Sequence, residues 1–258
     1  MRALVGLFVI WNLMLGIYSF ALAKEYDGVW LLGFDLKRPV VREIKVRRAM
    51  IEGLDRKFIA QVIMSEEAVP IGYVPPGMLG YDPDLKLIPY DLKQAKADLK
   101  SVGYSANDKR LKNLKLLHTD GVKTIAIANK IKTDLQKLGI KLTLSSVDAF
   151  DEDQWAEELS SGKFDLFLLG YKADLEQLFS DNPEIENPDG YDLLAPLFKT
   201  GAEVNFFHYS SKPVDELFAK TAGFNRALSS ERNTRLKKIN RLIYNHLPAV
   251  GLFYIEKL

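Results

Sequence analysis

The stretch from Leu114 to Leu169 constrains the fold more than any other part of the chain. Leu114 to Leu117 is a short apolar run of strand type, and Asp120 precedes Val122, Ile125, Ala126, Ile131, Leu135 and Leu138 at helical spacing, closed by Gly139. Ile140, Leu142 and Leu144 then alternate with Lys141, Thr143 and Ser145 as a second strand. Asp151 or Asp153 can cap a short helix through Trp155 and Leu159, and Ser160-Ser161-Gly162 breaks it. Phe164 to Leu169 is a continuous apolar run suited to a strand covered on both faces. Strand, helix, strand, helix, strand in this order predicts an α/β fold with a parallel βαβαβ sheet and right-handed crossovers. In such sheets a ligand lies beyond the carboxyl ends of the strands. The residues there are His118, Thr119 and Asp120, then Asp148, then Gly170, Tyr171, Lys172, Ala173 and Asp174.

The flanks are read the same way. Gly28 to Asp35 suits one buried strand. From Val46 to Ile63 apolar residues recur every three or four positions, predicting one amphipathic helix whose other face, Arg47, Arg48, Glu52, Arg56 and Lys57, is read as solvated. Five prolines and three glycines between residues 65 and 90 exclude regular structure, leaving a long loop whose tyrosines either contact a ligand or pin the loop to the body. Asp91 caps a helix ending at Gly103. The polar stretch Ser180 to Asp192 reads as a loop, Val214 to Ala222 and a segment from Ser229 as helices, and Ala249 to Ile255 as a last strand after Pro248. The final helix carries Arg232, Arg235, Lys238 and Arg241 on one face. A formal net charge of +1 and the lack of interleaved aromatics argue against nucleic acid as its partner.

Composition narrows the chemistry. Cysteine is absent, which excludes disulfides, thiolate metal sites and a cysteine nucleophile. His118, His208 and His246 are too scattered to suggest a metal site, and the acidic group Asp148, Asp151, Glu152, Asp153 lacks the glycine and terminal Glu of a calcium loop, so helix capping accounts for it better. No phosphate-cradling loop or nucleophile elbow is present, so no enzyme, cofactor or metal is expected. Residues 1–23 combine Arg2, an apolar run from Ala3 to Phe20 and Ala21-Leu22-Ala23 before Lys24, which reads as a cleaved secretory signal; the alternative is a membrane anchor formed by residues 3–20. A free periplasmic location follows from the first reading, since no cysteine is available for a lipid anchor.

Val46-Arg47-Arg48-Ala49-Met50 through Leu54-Asp55-Arg56 resembles the "VRqAl..aiDR" signature of the extracellular solute-binding proteins family 5, the peptide, dipeptide and nickel receptors of ABC importers. Pro75-Pro76-Gly77 with Gly80-Tyr81 is similar to the family's "vPpg..gy", and Tyr90-Asp91 to Gly103-Tyr104 to its "yDpekAkaLLaeAGy". Phe164-Asp165-Leu166 to Gly170-Tyr171-Lys172-Ala173-Asp174 is similar to "yDlal.gW.aD", with Tyr171 in place of the usual Trp. Asn187-Pro188-Asp189 to Leu197-Phe198, Tyr209 to Leu217 and Leu247-Pro248-Ala249 continue the order, after about a dozen residues beyond Asp174 that the family lacks.

The resemblance implies a type II periplasmic binding protein-like fold, of which this chain is the second lobe with only a remnant of the first. Residues 1–23 are then the signal, 24–45 a connecting strand of the first lobe and 46–258 the second lobe. It also implies binding of peptides or similar small polar solutes and partnership with an ABC permease and with a separate chain supplying the first lobe. The aspartate at the position of Asp174 pairs with a peptide's amino terminus in such receptors, and Gly170, Tyr171, Lys172 and Ala173 surround it in sequence. A degenerate or split lobe serving as an envelope interaction module is the alternative, with apolar surface exposed around Trp30 to Phe34 and Val250 to Tyr254.

Overall fold

The structure, a computed structural model, describes residues 24–66, 68–105, 108–173, 188–223 and 229–257. The signal segment, Asp174 and the loop as far as Asn187 lie outside the described residues. Strands β1 (Tyr26–Phe34), β2 (Leu114–Thr119), β3 (Leu142–Val147), β4 (Leu166–Lys172) and β5 (Ala249–Glu256) form one sheet in the order β3-β2-β4-β1-β5. β2 pairs parallel with β3 and with β4, giving the expected βαβαβ unit, while β1 runs antiparallel to both β4 and β5. The sheet is therefore mixed. Its crossovers are α5 and α6, given below.

The helices are α1 (Pro39–Arg42), α2 (Ile44–Glu52), α3 (Arg56–Phe58) running into a π-turn at Ile59–Ile63, α4 (Leu92–Ser101), α5 (Val122–Gln136), α6 (Glu152–Ser161), α7 (Gly190–Phe198), α8 (Lys212–Ala222) and α9 (Ser229–His246). Local chemistry sets several boundaries. Asp91 accepts hydrogen bonds from the main-chain N–H of Lys93 and Gln94 to start α4, and Asp151 accepts from Gln154 to start α6.

The single helix expected from Val46 to Ile63 is two. α2 stops at Gly53, where a Cβ would stand 2.6 Å from Leu138 Cδ1, so Leu138 packs into the space the missing side chain leaves. Asp55 then caps the next turn through Phe58 N–H, while its own N–H donates to Asp134 Oδ2. The apolar spacing crosses this break unchanged, which is why it reads as one helix.

The solvated basic face is also corrected. Arg47 and Arg56 are each only 4% exposed. Arg47 donates to the carbonyls of Val41, Arg42, His246 and Leu247, so it holds the C-terminal end of α9 against α1. Arg56 donates to the carbonyls of Pro70, Ile88 and Gly251, fastening both ends of the irregular loop to β5. Burial lowers both guanidinium pKa values to about 10. In the same way Arg232, on the cationic face of α9, is buried and binds Asp189 and the carbonyl of Thr221. Arg241 pairs with Asp82 in the loop.

The loop from residue 68 to 90 is irregular as expected, and Tyr73 pins it: the ring is fully buried and its hydroxyl donates to the carbonyl of Ala249. Sequence analysis missed α7. Its capping box joins Asp189 and Asp192, and six of its nine residues are buried. The strands around Trp30 to Phe34 and Val250 to Tyr254 expose no broad apolar surface, because β1 is inserted between β4 and β5; Leu31, Leu32, Phe34, Val250, Leu252 and Tyr254 are all buried. Among the described residues no helix is long and apolar enough to cross a membrane.

Candidate functional site

The strand directions gather five chain ends at one edge of the sheet. The carboxyl ends of β2, β3 and β4 lie there, together with the start of β1 and the end of β5, because β1 is antiparallel to both its neighbours. In a parallel sheet this is the edge where ligands are received.

At the β2 end His118 is buried with Nδ1 2.7 Å from the carbonyl of Thr119, so it is a satisfied core histidine. Asp120 is exposed; its N–H donates to Val147 O and its Oδ1 accepts from Ala149 N–H, which ties the β2 and β3 ends together. Asp148 accepts from Phe150 N–H. These turns lift Phe150 and Val122 into solvent, at 95% and 87% exposure. An open concavity of about 450 Å³ is bordered by Asp148, Phe150, Asp151, Glu152 and Asp153. Among the described residues no cluster of His, Asp and Glu is arranged to hold a metal ion.

At the β4 end four of the five expected site residues can be placed. Gly170 faces Trp30 across the β1–β4 ladder, and a Cβ there would lie 2.7 Å from the indole, so the absent side chain is what lets Trp30 cover the strand. Trp30 stacks on Phe253 at 5.7 Å. Tyr171 is buried opposite Val29, and Ala173 is buried with its N–H on Asp27 O. Lys172 is half-buried, with Nζ 2.9 Å from Asp27 Oδ2. Asp174, the fifth, lies outside the described residues.

Asp27 is the residue that sequence analysis missed. It sits where the β1–β5 register shifts between Tyr26 and Gly28, a bulge that sets its side chain beside Lys172. It is 4% exposed, and Oδ1 has no hydrogen-bond partner. An acidic residue placed between Tyr26 and the apolar run from Val29 was the available signal.

Residues 17–181 match the family model of the bacterial extracellular solute-binding proteins, family 5, middle part. The di/tripeptide-binding protein 2 of Pseudomonas aeruginosa is 25% identical over 209 residues, which cover 81% of this chain and 37% of that protein. The ABC transporter-associated periplasmic binding protein DppA from Helicobacter pylori, solved in complex with the peptide STSA, is similar in fold with a TM-score of 0.74 at 18% identity, over 95% of this chain and 46% of that one. NikZ from Campylobacter jejuni, solved with Ni(L-His), gives a TM-score of 0.72 at 19% identity, over 96% and 49%. The chain thus spans less than half the length of these relatives. Their fold is the α/β fold of periplasmic binding proteins, part of which the mixed sheet reproduces. With well over half of its residues matched, the chain belongs to the bacterial extracellular solute-binding proteins, family 5.

Proposed function

We propose that this chain is the second, solute-binding lobe of a periplasmic receptor for an ABC importer, and that it takes up peptides or similar small polar solutes at the carboxyl edge of the sheet. The observation that carries the reading is the strand direction: the carboxyl ends of the three parallel strands lie along one edge, at the end of the family motif from Phe164 to Ala173. Asp174 takes the ligand's amino terminus, with Gly170, Tyr171, Lys172 and Ala173 as its support. A carboxylate facing a desolvated ammonium contributes about 1.5–3 kcal/mol. No catalytic step and no cofactor belong to this role.

The mature chain begins at Lys24 after signal cleavage, reaches the periplasm, and works with a permease and with a separate chain that supplies the first lobe. The alternative role, an interaction module without a solute, was motivated by an exposed apolar sheet. The burial of Leu31, Leu32, Val250 and Leu252 removes that motive.

Calorimetric titration of the exported chain with short peptides tests the reading. Asp174→Ala should weaken binding about thirtyfold, roughly 2 kcal/mol, with little change in melting temperature. Unchanged affinity in the variant would remove Asp174 from the site, and absence of any peptide binding would defeat the function. Mass spectrometry of the envelope fraction should find Lys24 as the first residue; an intact Met1 in the membrane pellet would favour the anchor.

A further inference from the structure

Asp27 holds the end of β4 in two ways. Its main-chain oxygen accepts from Ala173 N–H at 2.9 Å, and its carboxylate Oδ2 lies 2.9 Å from Lys172 Nζ. The lysine stem crosses β1 to reach it because residue 28 is glycine: a Cβ there would stand 2.4 Å from Tyr171 O and 2.9 Å from Lys172 Cγ. The ammonium is therefore held over β1, against a carboxylate only 4% exposed.

A buried ion pair adds little net stability, because desolvation offsets most of the attraction. The pair is also built differently from the acid at the opposite edge. Asp165 has a partner on each oxygen, whereas Asp27 Oδ1 has none among the described residues. What the pair alters more than stability is the charge beside the end of β4. Lys24 is balanced there by Glu66 and Glu256, and Lys257 by Glu25. Lys172 stands two residues before Asp174 in sequence, so without Asp27 its charge would offset that of Asp174. With Asp27 present one negative charge is left in excess, the sign that a peptide's ammonium requires.

We propose that Asp27 is a positioning residue for peptide binding: it holds and neutralises Lys172, so that this cation does not compete with the peptide's amino terminus for Asp174. The inference rests on the peptide-binding reading and adds to it a residue of β1 that acts through Lys172 and touches no solute itself.

Calorimetric titration of the full chain with Ala-Ala-Ala and with its N-acetylated form tests it, since the two differ only at the amino terminus. The wild type should favour the free amine. Asp27→Asn should reduce that preference about tenfold, and Asp27→Asn/Lys172→Gln should bring it back to within about twofold of wild type. Asp27→Ser takes the place of Asp27→Asn in both variants if the latter does not fold. A loss that persists in the double variant is an effect of the fold and would overturn the proposal, as would an unchanged preference in the single variant. Either result leaves peptide binding by the wild type standing. Binding of neither peptide by the wild type would overturn the peptide reading and this inference with it.

Discussion

The two edges of the sheet handle acidic residues in opposite ways. At the amino edge Asp165 receives Arg38 Nε at 3.3 Å and Lys115 N–H at 2.9 Å, and Asp35 receives Lys37 N–H at 3.0 Å with His208 Nδ1 at 2.7 Å. Both carboxylates are buried, Asp165 with a partner on each oxygen and Asp35 with both partners on Oδ1. At the carboxyl edge the exposed acids Asp120, Asp148, Asp151, Glu152 and Asp153 form no salt bridge among the described residues, and buried Asp27 has a partner on one oxygen only. Matched burial is architecture, because each partner's loss leaves a dry charge behind. Unmatched acids add little to stability and leave a field available to a solute. The difference leaves the carboxyl edge the less neutralised of the two.

If this distinction is right, the largest effects of substitution belong to the matched interior. Arg56→Met leaves the carbonyls of Pro70, Ile88 and Gly251 without their donor and should cost at least about 3 kcal/mol in denaturant unfolding. A cost below about 1 kcal/mol would show that the loop does not depend on this cation. Asp165→Ala, which strips Arg38 and Lys115 N–H of their acceptor at the amino edge, should cost about 2 kcal/mol. The carboxyl-edge variants Asp148→Asn and Asp153→Asn should stay within about 0.5 kcal/mol of wild type. A carboxyl-edge variant as damaging as Asp165→Ala would erase the contrast.

Much of the sheet was legible in the sequence because β2, β3 and β4 carry runs that only a covered strand explains. Asp91 and Asp151 cap as their spacing indicates. Charge was where the sequence misled. Arg47, Arg56 and Arg232 occupy helix faces that look solvated, since periodicity records polarity and not whether distant carbonyls such as those of Leu247 and Gly251 will meet the guanidinium. α7 was hidden by Pro188, Gly190 and Pro196, which punctuate like a loop although Asp189 and Asp192 form a capping box. The antiparallel insertion of β1 between β4 and β5 was equally invisible, because pairing of strands more than 130 residues apart leaves no local trace. It is that insertion which brings Asp27 to Lys172.

A smaller effect separates two buried acids by pH. Asp134 is opposed by burial, but hydrogen bonds from Lys130, Lys137 and Asp55 N–H prevail and hold its carboxyl below the usual range. Its contribution is present above the ordinary carboxylate pKa and is lost as pH falls through its lowered value. Glu52 goes the other way: burial, reinforced by Asp98, raises it despite Arg48, and its Oε2 has no partner. Its contribution is full in acid and is lost as pH rises through the raised value. Melting curves across the acid range should therefore show the deficit of Asp134→Asn shrinking as pH falls. Glu52→Gln should gain on wild type as pH rises. Parallel pH profiles for the two variants would contradict these assignments.

The account's central claim is that solute is bound at the carboxyl edge of this sheet and nowhere else on the lobe. Amide chemical-shift mapping of the isotope-labelled chain titrated with the short peptide Ala-Ala-Ala tests it most directly. The account predicts saturable shifts at Asp27, Thr119 to Asp120, Asp148 to Phe150 and Gly170 to Ala173, with Asp35 to Arg38 and Lys163 to Leu166 unmoved. Shifts confined to the amino edge, or a spectrum that does not change at saturating peptide, would contradict it.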